Sequence, residues 1–346
     1  MKKIILVLII VLFIAALAGA WIFIGPATAF EAPKKALYIR TNAATKQAVV
    51  DSLVKNDMVK HTSAFVWLAD RLAYWTHIKP GKYEIRKGSS LLTIVRMLRN
   101  GQQTPVKLVI TKLRTKEDFA RFAGNRLEFD SAQMIAFLNN PDSLQPYGAD
   151  TSNALWRVLP DTYTYFWNTT PSNVYQKLYD ESKKFWTEER KQKASEHGLT
   201  PEQAYTLASI VEEETNANAE KGNITSVYLN RLNKGMPLQA DPTIKFAMRD
   251  FGLKRIYQKY LFIESPYNTY RNKGLPPGPI CTPSKATIEA VLNAPTTDYL
   301  YFVANSALNG THVFSTTYQE HLKNAKVYQQ TLNQLNSQKK ASQETR

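Results

Sequence analysis

Thr206-Leu207-Ala208-Ser209-Ile210-Val211-Glu212-Glu213-Glu214-Thr215 decides how the C-terminal part of this chain is read. Upstream, Thr200 is placed to cap a helix, Pro201 suits the first helical position, and Gln203 completes a capping box. Leu207, Ile210 and Val211 then form the i, i+3, i+4 stripe that faces a core. The next position on that stripe is Glu214, while Glu212 and Glu213 fall toward the flanks. An acid on a buried stripe is costly unless it is paired or kept protonated with a raised pKa. Protonated at neutral pH is the state a general acid needs. The bland alternative is a partly exposed glutamate at a fraying helix end. A one-residue error in helix phase would hand the role to Glu212.

The chain has 346 residues, enough for two folded units with sizeable cores. Lys2 and Lys3 precede Ile4 to Ile24, a run of 21 residues without charge or proline. About 20 such residues span a bilayer. Ala27-Thr28-Ala29 has the small residues of a cleavage site, but the apolar run exceeds the roughly 7–15 residues of a signal peptide. The expectation is therefore an uncleaved anchor, with residues 1–3 cytoplasmic, 4–24 spanning, and the chain beyond Pro26 outside. One cysteine, Cys281, excludes an internal disulfide framework, and five scattered histidines show no zinc-ligand spacing. No metal and no cofactor is expected. The net charge of +15 is dispersed, and an exported domain meets no nucleic acid, so an anionic membrane or wall polymer is the better partner.

Alternating and helical patterns mix along the rest, giving an α+β fold. Ala36–Ile39, Tyr83–Ile85 and Val106–Ile110 read as strands, with helices at about 45–56 and 62–75 and a third carrying Leu91, Ile94, Val95 and Leu98. Ser89 or Ser90 caps that helix and Asn100-Gly101 ends it. This small unit, 36–111, is followed by linking helices over 112–154 and a mainly helical unit over 155–336. Thr170-Pro171 opens a helix that Gly198 closes, and Asp241-Pro242 starts a short one with Asp241 as its cap. Tyr299–Val303 and Thr311–Phe314 read as a hairpin, and 337–346 as a disordered tail.

Three polar clusters are candidates to join Glu214: Gln239-Ala240-Asp241, Tyr267-Asn268-Thr269-Tyr270, and the rigid Gly274-Leu275-Pro276-Pro277-Gly278-Pro279. Aromatic faces with amide and hydroxyl groups suit a sugar polymer. Taken with Leu207 to Thr215, Asn230-Arg231-Leu232, Leu159-Pro160-Asp161-Thr162-Tyr163 and Tyr299-Leu300-Tyr301-Phe302-Val303, these motifs resemble the YceG-like endolytic murein transglycosylases. The resemblance runs close to full length and is most specific over about 155–325. Ala240 stands where threonine is expected, and Ala307-Leu308 interrupt a usually glycine-rich hairpin turn.

The resemblance implies a membrane-bound lyase that cuts the β-1,4 bond between N-acetylmuramic acid and N-acetylglucosamine in nascent peptidoglycan strands. The muramyl end closes as a 1,6-anhydro sugar, and strand elongation terminates. Glu214 is then the single catalytic acid and base, with Gln239, Asp241, Tyr267, Asn268, Thr269 and Tyr270 binding substrate. The 36–111 unit resembles a LysM-like module. The implied location is the plasma (inner) membrane, single-pass, with the catalytic unit on the periplasmic or extracellular side and peptidoglycan synthases as possible partners. Two other readings stand beside this one: a two-carboxylate hydrolase in which Asp241 activates water opposite Glu214, and a wall-binding scaffold without activity.

Overall fold

The computed structural model describes residues 2–344. It is α+β and mainly helical, and it divides into two compact units. The first comprises residues 1–108, 123–130 and 163–171, and the second 109–122, 131–162 and 172–346. Both therefore draw on separated stretches of the chain, not on the consecutive blocks 36–111 and 155–336.

The first unit opens with α1 (Lys2–Ile24), which is uncharged from Ile4 onward and long and apolar enough to cross a membrane. Strand β1 (Lys34–Ile39) is followed by α2 (Lys46–Lys55) and α3 (Thr62–Arg71), and β2 (Gly81–Arg86) pairs antiparallel with β1. Ser90 caps α4 (Leu91–Asn100) through the Thr93 N–H, and Gly101 ends it in the left-handed conformation at φ 69°. Leu91, Ile94, Val95 and Leu98 are buried in one core with Leu37, Leu53, Phe65 and Tyr83. Ala27 and Phe30 join the same core, so the unit begins well before the expected residue 36.

The remaining elements are β3 (Val106–Ile110), α5 (Lys116–Gly124), α6 (Ser131–Leu138), the short α7 (Pro141–Leu144) and β4 (Asp161–Tyr165), which pairs with β3. The second unit continues with α8 (Pro171–Phe185), α9 (Glu188–Glu196), α10 (Pro201–Glu214), α11 (Lys221–Asn233), α12 (Asp241–Met248) and α13 (Lys285–Leu292). The antiparallel hairpin β5 (Tyr301–Ala304) and β6 (His312–Ser315) and the helix α14 (Tyr318–Glu344) follow. Two expectations are corrected here. The helix expected over 171–198 is two helices, because Thr187 takes an extended conformation and caps α9 through the Arg190 N–H. The tail expected to be disordered from Ser337 is helical to Glu344, in a stretch free of proline and glycine. Residues 345–346 lie outside the described residues.

Helix α10 is the centre of the second unit. Its capping box forms as the sequence predicts, with Thr200 and Gln203 satisfying each other's backbone. Yet every residue from Ala204 to Val211 is buried, not one stripe alone. The polar members of that run are accommodated by hydrogen bonds: Tyr205 Oη donates to the Val158 carbonyl at 2.6 Å, and Ser209 Oγ donates to the Thr206 carbonyl at 2.7 Å. The buried run ends at Val211, and the helix emerges from the core again at its C-terminal end. The three glutamates lie there.

Candidate active site

Each of the three glutamates meets a different environment. Glu213 pairs with Lys112 at 3.1 Å and Arg114 at 3.0 Å. Glu212 accepts from the buried Lys221 ammonium at 3.1 Å, from Ser284 at 3.1 Å, and from the Thr287 hydroxyl. Burial alone would raise its pKa, but the Thr287 and Lys221 hydrogen bonds and the Lys221 charge bring it below the ordinary value. Glu212 is thus an ionised structural group.

Glu214 is the exception: no basic side chain pairs with it among the described residues, and its Oε1 accepts from Tyr228 Oη at 2.5 Å. Burial of the carboxyl pushes its pKa up to about 7. The Tyr228 bond opposes this shift, the Asp241 charge reinforces it, and Lys245 and Arg231 oppose it more weakly. Its carboxyl is desolvated while the residue keeps part of its surface toward a cleft of about 320 Å³. The Tyr228 bond occupies Oε1, which leaves Oε2 as the oxygen available to hold and deliver a proton. Thr215, next in sequence, accepts the Ala217 N–H at 3.0 Å and shapes the exit from the helix.

The cleft brings Glu214 together with three of the six predicted sugar-binding residues, Gln239, Asp241 and Tyr270. Gln239 sits at φ +53°, a conformation that costs energy for any residue but glycine, and its N–H donates to the Thr269 carbonyl at 3.0 Å. Asp241 is not the cap of α12: Ala240 is, and it supplies no side-chain bond. The Asp241 Oδ1 instead accepts from Tyr270 Oη at 2.5 Å. These links join the 239–241 turn and the 267–270 loop.

The other three residues serve the wall from behind. Thr269 is buried, and its Oγ1 accepts the Ala240 N–H at 3.0 Å. Asn268 is fully buried, with its amide donating to the Leu261 and Ile263 carbonyls at 3.0 and 2.8 Å and its carbonyl oxygen accepting the Tyr270 N–H. Direct sugar contact by the Asn268 side chain is therefore corrected to a loop-holding role. Tyr267 packs its ring on Phe246 at 4.6 Å and donates to the Ser152 carbonyl, lining a separate hollow. The proline-rich segment is fixed by close approach: a Cβ on Gly278 would lie 2.4 Å from the Ser152 carbonyl oxygen.

Four further residues that the sequence does not mark as site residues belong here: Tyr228 bonds Glu214, and Arg231, His312 and His321 line the cleft. Arg231 is buried and donates to the Leu300 and Leu238 carbonyls at 2.7 and 2.6 Å. His312 Nδ1 lies 3.0 Å from Glu220 Oε2, and His321 stacks on Tyr301. Arg231 was visible as part of a motif, but an aromatic at position 228 of an amphipathic helix reads simply as core.

A cleft with one carboxyl whose pKa is raised to about 7, so that it can both give and take a proton near neutral pH, is the equipment of an acid–base catalyst. Residues 37–327 match the YceG-like family, and the chain belongs to it. The endolytic murein transglycosylase of Bacillus subtilis is 31% identical over 296 residues, covering 81% of each chain. That of Streptococcus pneumoniae (strain R6) is 29% identical over 312 residues, 80% of this chain, which spans only 55% of the streptococcal protein. A crystal structure of a YceG-like protein from Listeria monocytogenes superposes with a TM-score of 0.56 at 27% identity, covering 84% of this chain and 98% of that one.

Proposed function

We propose that this protein is a membrane-anchored endolytic murein transglycosylase, a lyase acting on peptidoglycan glycan strands. The observation that supports it best is Glu214, the one carboxyl in the cleft whose pKa is lifted to about 7. Protonated Glu214 gives its proton to the glycosidic oxygen as the bond to the muramyl C1 breaks and positive charge develops on the ring. The carboxylate so formed takes the proton of the same sugar's C6 hydroxyl, and O6 bonds to C1. One acid serves both transfers, no water enters, and the product is a 1,6-anhydro end. Relatives of about 30% identity that bear this activity's name support the reading.

Gln239, Asp241 and Tyr270 are proposed to contact the glycan, with Asn268 and Thr269 holding their loops in place. The hydrolase reading needs Asp241 as a water-activating base. Asp241→Asn separates the two: Asn retains an oxygen for Tyr270 but is no base. Digestion of uncrosslinked strands by Asp241→Asn protein is expected to stay within about tenfold of wild type and to give anhydro-muramyl ends. Loss of turnover in the folded variant, or reducing ends one water heavier from the wild-type protein, contradicts the proposal.

Helix α1 is proposed as a retained single-pass anchor, with the rest of the chain outside the membrane and the folded part of the first unit as its LysM-like module. Ala27 supports retention: its N–H donates to the Ser89 carbonyl at 3.1 Å and its carbonyl accepts the Lys60 N–H at 2.8 Å, so cleavage after Ala29 would remove part of the core. A mature N-terminus at Phe30 contradicts this.

A further inference from the structure

Glu214 and Asp241 line a second hollow besides the sugar-sized cleft, of about 650 Å³ and built from different side chains. One wall is cationic: Lys245, Lys254 and Arg255. None of the three forms an ion pair among the described residues, and Lys254 and Arg255 are exposed. Of the acids nearby, Glu213 is paired and Asp241 keeps its charge. Glu213 is held by Lys112 and Arg114, and Asp241 accepts from Tyr270. Helix α14 adds Tyr328, Gln329 and Leu332 to the lining. The hollow thus offers three cations against the one unpaired acid charge of Asp241, an excess of positive charge one step from the proton donor.

That lining is unlike the 320 Å³ cleft, where Gln239, Tyr270 and Phe302 present amide, hydroxyl and ring surfaces. Neutral sugar hydroxyls give three cations little to neutralise, whereas carboxylates answer each of them. In peptidoglycan the carboxylates sit on the peptide stems, which branch from the muramyl rings next to the scissile bond. The geometry points to the cationic hollow as a subsite for the carboxylate-bearing peptide stem of the strand. The inference rests on the glycan-cleaving function proposed above and adds a substrate preference: strands with anionic stems are better substrates than strands whose stems carry no charge.

The test uses full-length protein and two preparations of uncrosslinked strands. One has native stems, and the other has its stem carboxylates converted to amides, which keeps shape and removes charge. The readout is the ratio of kcat/KM for native over amidated strands. For wild type the ratio is expected to be about tenfold at low salt, from two or three partly solvated ion pairs of roughly threefold each, and to shrink as salt screens them. In Lys254→Glu/Arg255→Glu protein it should fall to about one or below. A wild-type ratio near one, or an unchanged ratio in the variant, overturns the inference and leaves the function standing. Failure of wild-type protein to cleave either preparation is a separate result, which removes the functional proposal and this inference with it.

Discussion

Glu214→Gln protein is expected to lose strand cleavage by roughly 10²-fold or more, the size of a general-acid contribution. Glutamine keeps the shape of the side chain and an oxygen for the Tyr228 hydroxyl, so a fall of this size reports the missing proton and not a collapsed site. The same substitution is expected to stabilise the fold above neutral pH. Burial lifts the Glu214 pKa from an ordinary 4.5 to about 7, so the folded state binds the proton more tightly than the unfolded state. The contribution of this one group to stability is therefore fully present below about pH 4.5 and is lost as pH rises through 7. Above that window, forcing charge onto the desolvated carboxyl costs about 2–3 kcal/mol, discounted for the part of the residue that faces the cleft. Glutamine never ionises and escapes this cost. Chemical denaturation at pH 8 should place the inactive variant above the wild type. Retained cleavage by Glu214→Gln contradicts the assignment.

Glu212→Gln is expected to do the reverse. Lys221 is 5% exposed, and its ammonium would be left without its counter-charge, which costs roughly 3–5 kcal/mol for a buried pair. The melting temperature should drop by about 8 °C or more, while the folded fraction cleaves strands at near wild-type rate. Replacing Lys221 by Met in the same protein should recover part of the loss, because no buried charge then remains unpaired. The pH dependence also has the opposite sign. A carboxyl with a depressed pKa stabilises above its unfolded value, and that contribution fades as pH falls through the folded value. Two glutamates separated by one residue thus differ in every readout, and a dead but normally stable Glu212→Gln protein would reverse their roles.

Much of this was legible in the sequence because the signals are local. The Thr200/Gln203 capping box, the Gly101 stop and the hairpin were readable from residues within a few positions of one another. Glu214 was legible because a carboxylate on an apolar stripe breaks a pattern. What escaped depends on contacts distant in the chain or on a shift of a single residue. Asp241 reads as a helix cap by its chemistry, but the extended residue is Ala240, and the one-residue offset turns Asp241 toward Tyr270. Asn268 reads as an exposed sugar ligand because its loop is polar, whereas the loop's own carbonyls consume its amide. The split between α8 and α9 was marked by Thr187-Glu188-Glu189, a cap signal overridden in reading by continuous helical periodicity.

The central claim is that Glu214 must be protonated to act, and the pH profile of kcat/KM on uncrosslinked strands tests it most directly. With the Glu214 pKa near 7, kcat/KM should be constant below that value and fall about tenfold per pH unit above it. In Asp241→Asn protein the fall should begin at lower pH, because the neighbouring negative charge that helps hold the proton on Glu214 is gone. A profile that stays flat to pH 9 would contradict the account.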